Sequence, residues 1–172
     1  GGGDVTIEMA RLGAGAGVRI DLTLMDRSET AVRTAMRAAK AAGIAGPGIV
    51  GDVLSSSSIL DSAGVYVVTN SLFLHHLSSA EHVSGMLGRM NQMAGRLVVI
   101  SDLRRSRAGW AVAWMGCRML SRSPIVHYDG PASVRAAWTM GELRQFTEQA
   151  GVAEARIVRC PPVRMLITWR TS

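Results

Sequence analysis

Val65-Tyr66-Val67-Val68-Thr69-Asn70-Ser71-Leu72-Phe73-Leu74-His75-His76 is the stretch of this 172-residue chain whose reading decides the fold. An apolar, β-branched run at 65–69 gives way abruptly to polar groups. Apolar residues at successive positions, rather than alternate ones, mark a strand covered on both faces, as in a parallel sheet. Working outward, the same pattern recurs. Residues 21–25 read as a strand ending at Asp26, Ile49-Val50 as a short strand before Gly51-Asp52, and 97–100 as a buried strand before Ser101-Asp102.

Helical patterns lie between these runs. Val5, Met9 and Leu12 recur at i, i+4, i+7 and predict one apolar helix face. Ser28 is placed to cap a helix with Val32, Met36 and Ala39 inward. Residues 79–94 carry Val83, Met86, Leu87, Met90 and Met93 on one stripe. An arginine- and tryptophan-rich helix follows Asp102 to about Leu120. Pro124 and Pro131 mark 121–137 as loop with at most short helical pieces, and Ser55 to Ser58 form a polar loop. Thr139-Met140-Gly141-Glu142 has the form of a capping box, opening a helix with Leu143 and Phe146 inward. Two last runs, 155–160 and 163–169, are separated by Pro161-Pro162 alone. So short a gap holds no crossover helix and predicts an antiparallel hairpin. The expected fold is a three-layer, Rossmann-like α/β domain spanning residues 1–172, its sheet mostly parallel with an antiparallel C-terminal hairpin strand.

Composition narrows the function classes. Hydrophobic residues make up 48% and charged residues 19%, a globular balance. The longest apolar run, residues 108–117, falls short of the roughly 18–20 residues that span a bilayer, and the opening glycines lack the basic start of a signal peptide. Cys117 and Cys160 have neither metal-ligand spacing nor a disulfide framework, which fits a reducing cytoplasm. The net charge of +6 is almost all arginine, but no aromatics are interleaved with those arginines, so no nucleic-acid partner is expected. His75, His76 and His82 do not share one helical face with an acidic partner, and no metal site is expected.

In an open parallel sheet, ligands bind beyond the carboxyl ends of the strands. The polar groups placed there are the opening glycines, Asp26, Asp52, the 70–76 run and Asp102. Glycines allow close backbone approach to a ligand at a helix N-terminus. An acidic residue about 20 positions later can accept hydrogen bonds from ribose hydroxyls, and Asp26 is near that spacing. Asp52, at the next strand end, is placed to accept from an adenine amino group.

Taken together, these residues resemble class I S-adenosylmethionine (SAM)-dependent methyltransferases. Gly1 and Gly3 resemble the last two glycines of that family's Asp-x-Gly-x-Gly-x-Gly loop. Asp26, with its neighbour Arg27, corresponds to the second motif and Gly51-Asp52-Val53 to the third. Residues 67–77 resemble the fourth-strand motif of small-molecule methyltransferases that act on quinones and polyketides. The resemblance covers essentially the whole chain, and the family's first strand and first loop glycine should precede Gly1. It implies SAM as cofactor, held by Gly1, Gly3, Asp26, Arg27, Gly51, Asp52, Val53, Asn70 and Ser71. It further implies methyl transfer to a small, largely apolar acceptor, at oxygen, of phenol, quinone or polyketide type, as in secondary metabolism. Candidate bases are His75, His76 and His127, and a homodimer is one assembly considered. Two rivals stand beside this reading: a SAM-binding-like domain without turnover, and an NAD-dependent Rossmann oxidoreductase.

Overall fold

The computed structural model describes residues 3–44, 46–54 and 65–171. Gly1 and the serine loop 55–58 lie outside the described residues. The chain divides into two compact units, residues 1–59 and 60–172.

In the first unit, helix α1 (Asp4–Gly15) is followed by strand β1 (Leu24–Asp26), helix α2 (Glu29–Ala41) and strand β2 (Gly48–Val50). The strands pair in parallel, Asp26 opposite Val50. A small core of Ile7, Ala10, Leu22, Leu24, Ala35 and Ala39 holds the unit together. The buried face of α1 is therefore Ile7 and Ala10, while Val5 and Leu12 of the anticipated stripe are exposed. Apolar residues occur on both sides of α1, and packing against α2 selects the side with the smaller groups. Ser28 caps α2 as expected, its hydroxyl accepting from Ala31 N–H. Val32 and Ala39 are buried, but Met36 is 39% exposed, lying over Gly48 of β2.

In the second unit, β3 (Val67–Ser71) leads through a 3₁₀ turn (Leu74–His76) to helix α3 (Ala80–Met93) and strand β4 (Leu97–Leu103). Helices α4 (Arg107–Leu120), α5 (Pro124–Ala136) and α6 (Met140–Gln149) follow, then β5 (Arg156–Cys160) and β6 (Arg164–Arg170). The strand order is β3-β4-β6-β5. β3 and β4 are parallel, β6 runs antiparallel to β4, and β5 and β6 form the anticipated hairpin. Val98, Ile100 and Asp102 of β4 lie opposite Trp169, Ile167 and Met165 of β6, all on the buried face. Trp169 reaches Asn91 of α3 across that face, its indole N–H donating at 2.9 Å. The α3 stripe is buried as its spacing predicts, at Val83, Met86, Leu87 and Met90. β3 is less covered than its sequence suggests, with Val68 buried but Val67 partly exposed.

Residues 124–136 form a regular helix where loop was expected. Pro124 occupies the first turn, where its missing N–H costs nothing, and Pro131 is buried inside the helix. Packing of α5 against α4 outweighs the one hydrogen bond that Pro131 cannot make. The α4–α5 turn is apolar and open, with Met119, Leu120 and Ile125 all more than three-quarters exposed.

Candidate functional site

In the first unit, the parallel β1–β2 pair brings two sequence-predicted residues together. Gly51 N–H donates to the Asp26 carbonyl at 3.0 Å, so the loops leaving both strands start side by side. Asp26 accepts from Ser28 N–H at 2.9 Å. Burial pushes the Asp26 carboxyl up, but hydrogen bonds and positive charge outweigh it, the backbone N–H groups of Ser28 and Arg27 among them. The carboxyl is held below its ordinary value. Asp52 accepts from Leu54 N–H at 3.0 Å and lies 3.6 Å from the Arg27 guanidinium. Val53 sits half-buried in the same turn. Gly3 precedes α1 with φ of +77°, and a Cβ there would crowd the Ala35 methyl at 3.1 Å. Both facts require glycine at this helix start.

In the second unit, Asn70 and Ser71 close β3. Ser71 Oγ accepts from Arg164 at 3.0 Å. Asn70 Oδ1 is buried and has no hydrogen-bond partner among the described residues. The next residue, Leu72, has φ of +56°, a strained conformation for a branched side chain, and such strain collects at functional sites.

That turn is built around Asp102, which is 0% exposed. The β3–β4 register sets Ser71 opposite Ser101, so Asp102 meets the residues just past β3. One carboxylate oxygen accepts from Phe73 N–H and Leu74 N–H, each at 2.7 Å. The other accepts from its neighbour Leu103 N–H and faces His75 Nδ1, both at 2.7 Å. Trp138 closes the far side, its indole N–H donating to the Leu74 carbonyl at 3.1 Å and its ring edge-on to Phe146. His75 is 9% exposed. Its Nε2 makes no hydrogen bond among the described residues, and it is not among the buried polar atoms left without partners.

His75 and His76 line an open cleft of about 380 Å³ between the 3₁₀ turn, the end of β4, α4 and α5. Leu72, Leu103, Val134 and Val163 supply apolar walls, and Asp129 adds a carboxylate. The His75 and His76 rings lie 4.2 Å apart between centroids. His127 does not line this cavity, and its Nε2 is 2.6 Å from the Ser121 carbonyl. Trp110 and Trp114 lie under Arg135 and Arg118 respectively and do not line it either. Arg105, one of three arginines around the start of α4, pairs with Glu142 of the α6 capping box. Burial raises the Glu142 carboxyl, but hydrogen bonds from Thr139 and the charge of Arg105 overcome it and leave the group below its ordinary value.

Sequence reasoning noted Asp102 only as a strand end. Its partners lie 27–29 residues away, and only the strand register reveals them. The cavity walls on α5 were hidden by the loop expectation.

No protein-family model and no curated protein matches the sequence. Solved structures do match. Magnesium protoporphyrin IX methyltransferase from Synechocystis PCC 6803, crystallised with SAH, superposes with a TM-score of 0.63 at 17% identity, covering 100% of this chain and 70% of its own. The N-methyltransferase NodS from Bradyrhizobium japonicum WM9 gives 0.59 at 15% identity, covering 99% and 80%. The pyocyanin biosynthetic protein PhzM gives 0.62 at 19%, covering 100% of this chain, which spans 48% of PhzM. The chain has a methyltransferase fold. That Rossmann-like α/β fold agrees with the expectation from sequence, down to the antiparallel closing strand. Among the described residues no helix is long and apolar enough to cross a membrane, and no three His, Cys, Asp or Glu side chains are grouped to hold a metal.

Proposed function

We propose that the chain, read as one domain, is part of a cytoplasmic SAM-dependent methyltransferase that modifies a small, largely apolar acceptor at oxygen, in secondary metabolism. One observation carries the reading. In a chain with a methyltransferase fold, the β1–β2 register sets the ionised Asp26 beside Gly51-Asp52. An acidic residue at each of two adjacent strand ends suits the ribose hydroxyls and the adenine amino group of the cofactor.

The donor chemistry of the described residues fits SAM. In the first unit Gly3, Asp26, Arg27, Gly51, Asp52 and Val53 are assigned to hold it, and Gly1 is assigned with them from the sequence. Asn70 and Ser71, in the second unit, are assigned the same role from the sequence. SAM supplies an electrophilic methyl group on sulfonium sulfur. The protein's own residues orient the acceptor, keep water out and receive its proton, with His75, His76 and His127 as the candidate bases.

Calorimetric titration with S-adenosylhomocysteine and with NAD tests the reading. Heat with the first and none with the second is the expected result. Tight NAD binding without S-adenosylhomocysteine binding would overturn it in favour of an oxidoreductase.

A further inference from the structure

We propose that the turn joining α4 and α5, with the outer face of α4, is a membrane-docking surface that fits a bilayer carrying anionic lipid. Helices α3 and α4 are both 14 residues long, and they treat their apolar side chains in opposite ways. Helix α3 buries Val83, Met86, Leu87 and Met90. Of the described residues of α4, Gly109 alone is buried. Val112, Met115 and Met119, at i, i+3 and i+7, share one face of α4, and all three are exposed. Leu120 follows at the helix end, and Ile125, Val126 and Tyr128 of α5 continue the exposed apolar residues beyond the turn. Clustered apolar exposure of this kind marks a surface that meets something other than water.

The charge around these residues selects the occupant. Residues 103–128 hold five arginines and no Asp or Glu. Arg105 is answered by Glu142 of α6. Arg118, in the last turn of α4, and Arg122, just beyond it, are exposed and pair with no carboxylate among the described residues. Asp129, the next acidic residue, lines the cleft. The Arg118 guanidinium lies over the Trp114 ring, 4.1 Å from its centroid, and donates to the Trp114 carbonyl at 3.2 Å. An aromatic body beneath a cationic head suits the boundary between acyl chains and headgroups. Trp and Tyr collect there, and arginine keeps its charge in the polar layer.

A second copy of the chain fits this surface poorly. Two-fold pairing of the surface with itself would gather two Arg118 and two Arg122 with no carboxylate to offset them. A nucleic acid would meet the arginines but leave Met119, Leu120 and Ile125 in water. An anionic bilayer answers both groups, its phosphates taking the arginines and its acyl chains the apolar side chains. The apolar run at 108–117 is too short to cross a bilayer, so α4 would lie on the membrane and not through it. Helices α4 and α5 also line the cleft, and docking would bring those walls to the lipid.

The test is co-sedimentation of the protein with phosphatidylcholine vesicles, with and without phosphatidylglycerol. Binding is expected only where phosphatidylglycerol is present, and it should weaken as salt is raised. Leu120→Ser combined with Ile125→Ser should lower the partition at least about tenfold. Arg118→Gln combined with Arg122→Gln should lower it about 25-fold, about fivefold for each arginine. Arg37→Gln combined with Arg144→Gln removes as much charge from exposed sites on α2 and α6, and should change the partition less than about twofold. Absence of binding to the charged vesicles, equal binding to phosphatidylcholine alone, or equal weakening by the α2 and α6 pair would overturn the proposal. So would displacement by soluble glycerophosphoglycerol, which would point to a free phosphate ester as the ligand. A dimer in sedimentation velocity that the Leu120→Ser, Ile125→Ser protein no longer forms would overturn it in favour of a second copy. None of these outcomes bears on S-adenosylhomocysteine binding, so the methyltransferase reading stands or falls separately.

Discussion

Asp26 and Asp102 each stand at the carboxyl end of a β-strand, and their surroundings are opposite. Asp26 is half-buried, and its carboxylate accepts from Ser28 N–H in its own loop. Asp102 is sealed from solvent and accepts from three backbone N–H groups as well as facing His75. The first carboxylate shapes a loop at a half-buried strand end. The second spends its hydrogen-bonding capacity on the turn after β3 and on its own strand. Position in a fold therefore does not define a role, and the difference teaches that a carboxylate sealed among backbone donors belongs to the scaffold, whereas one left half-buried at a strand end does not have to.

Replacing each carboxylate sharpens this contrast. Asp102→Ala should cost the most, about 3–5 kcal/mol, because three backbone donors and an imidazole lose a buried charged partner together. Thermal or urea unfolding measures it, and a loss below about 1 kcal/mol would break the comparison. Asp26→Ala and Asp52→Ala should behave in reverse. S-adenosylhomocysteine affinity should fall about 10- to 100-fold, the worth of a hydrogen bond to a charged group, while the melting temperature moves little. An Asp26→Ala protein as unstable as Asp102→Ala would show that both carboxylates are scaffold.

Smaller effects follow the two depressed carboxyls. Glu142→Gln weakens the capping box and removes the pair with Arg105, for about 1 kcal/mol. Glu142 titrates lower in the folded chain than when unfolded, so its contribution is complete above the ordinary glutamate range and disappears as pH falls through the lowered folded value. The gap in stability between the protein and Glu142→Gln should thus be constant at neutral pH and close in acid. Asp26→Asn should show the same sign with a smaller amplitude, closing below the ordinary aspartate value of about 3.9. A gap that widens in acid would contradict both assignments.

Much of this was legible before any coordinates. Ser28 and Thr139 cap helices where their side chains imply, because capping depends on a few adjacent residues. Asp26 and Asp52 were located by spacing, and the closing hairpin by the shortness of its turn. Three things were not legible. The inward face of α1 was ambiguous because Val5, Ile7, Met9, Ala10 and Leu12 offer two stripes. Helix α5 was masked by prolines that its packing tolerates. The Asp102–His75 pair needs the register of β3 on β4, and residues 27 apart carry no local trace of each other.

Gly130 of α5 lies against the Cys117 side chain of α4. A side chain at position 130 would run into the cysteine sulfur of α4, so this glycine governs how near α5 lies to α4. Both helices wall the cavity, through Ala113 and Val134 among others. The room available to an acceptor is thus a spacing between two backbones as well as a matter of the side chains that line it. Adding a single methyl at position 130 would act as a shim, and it offers a one-atom adjustment of which molecules are admitted.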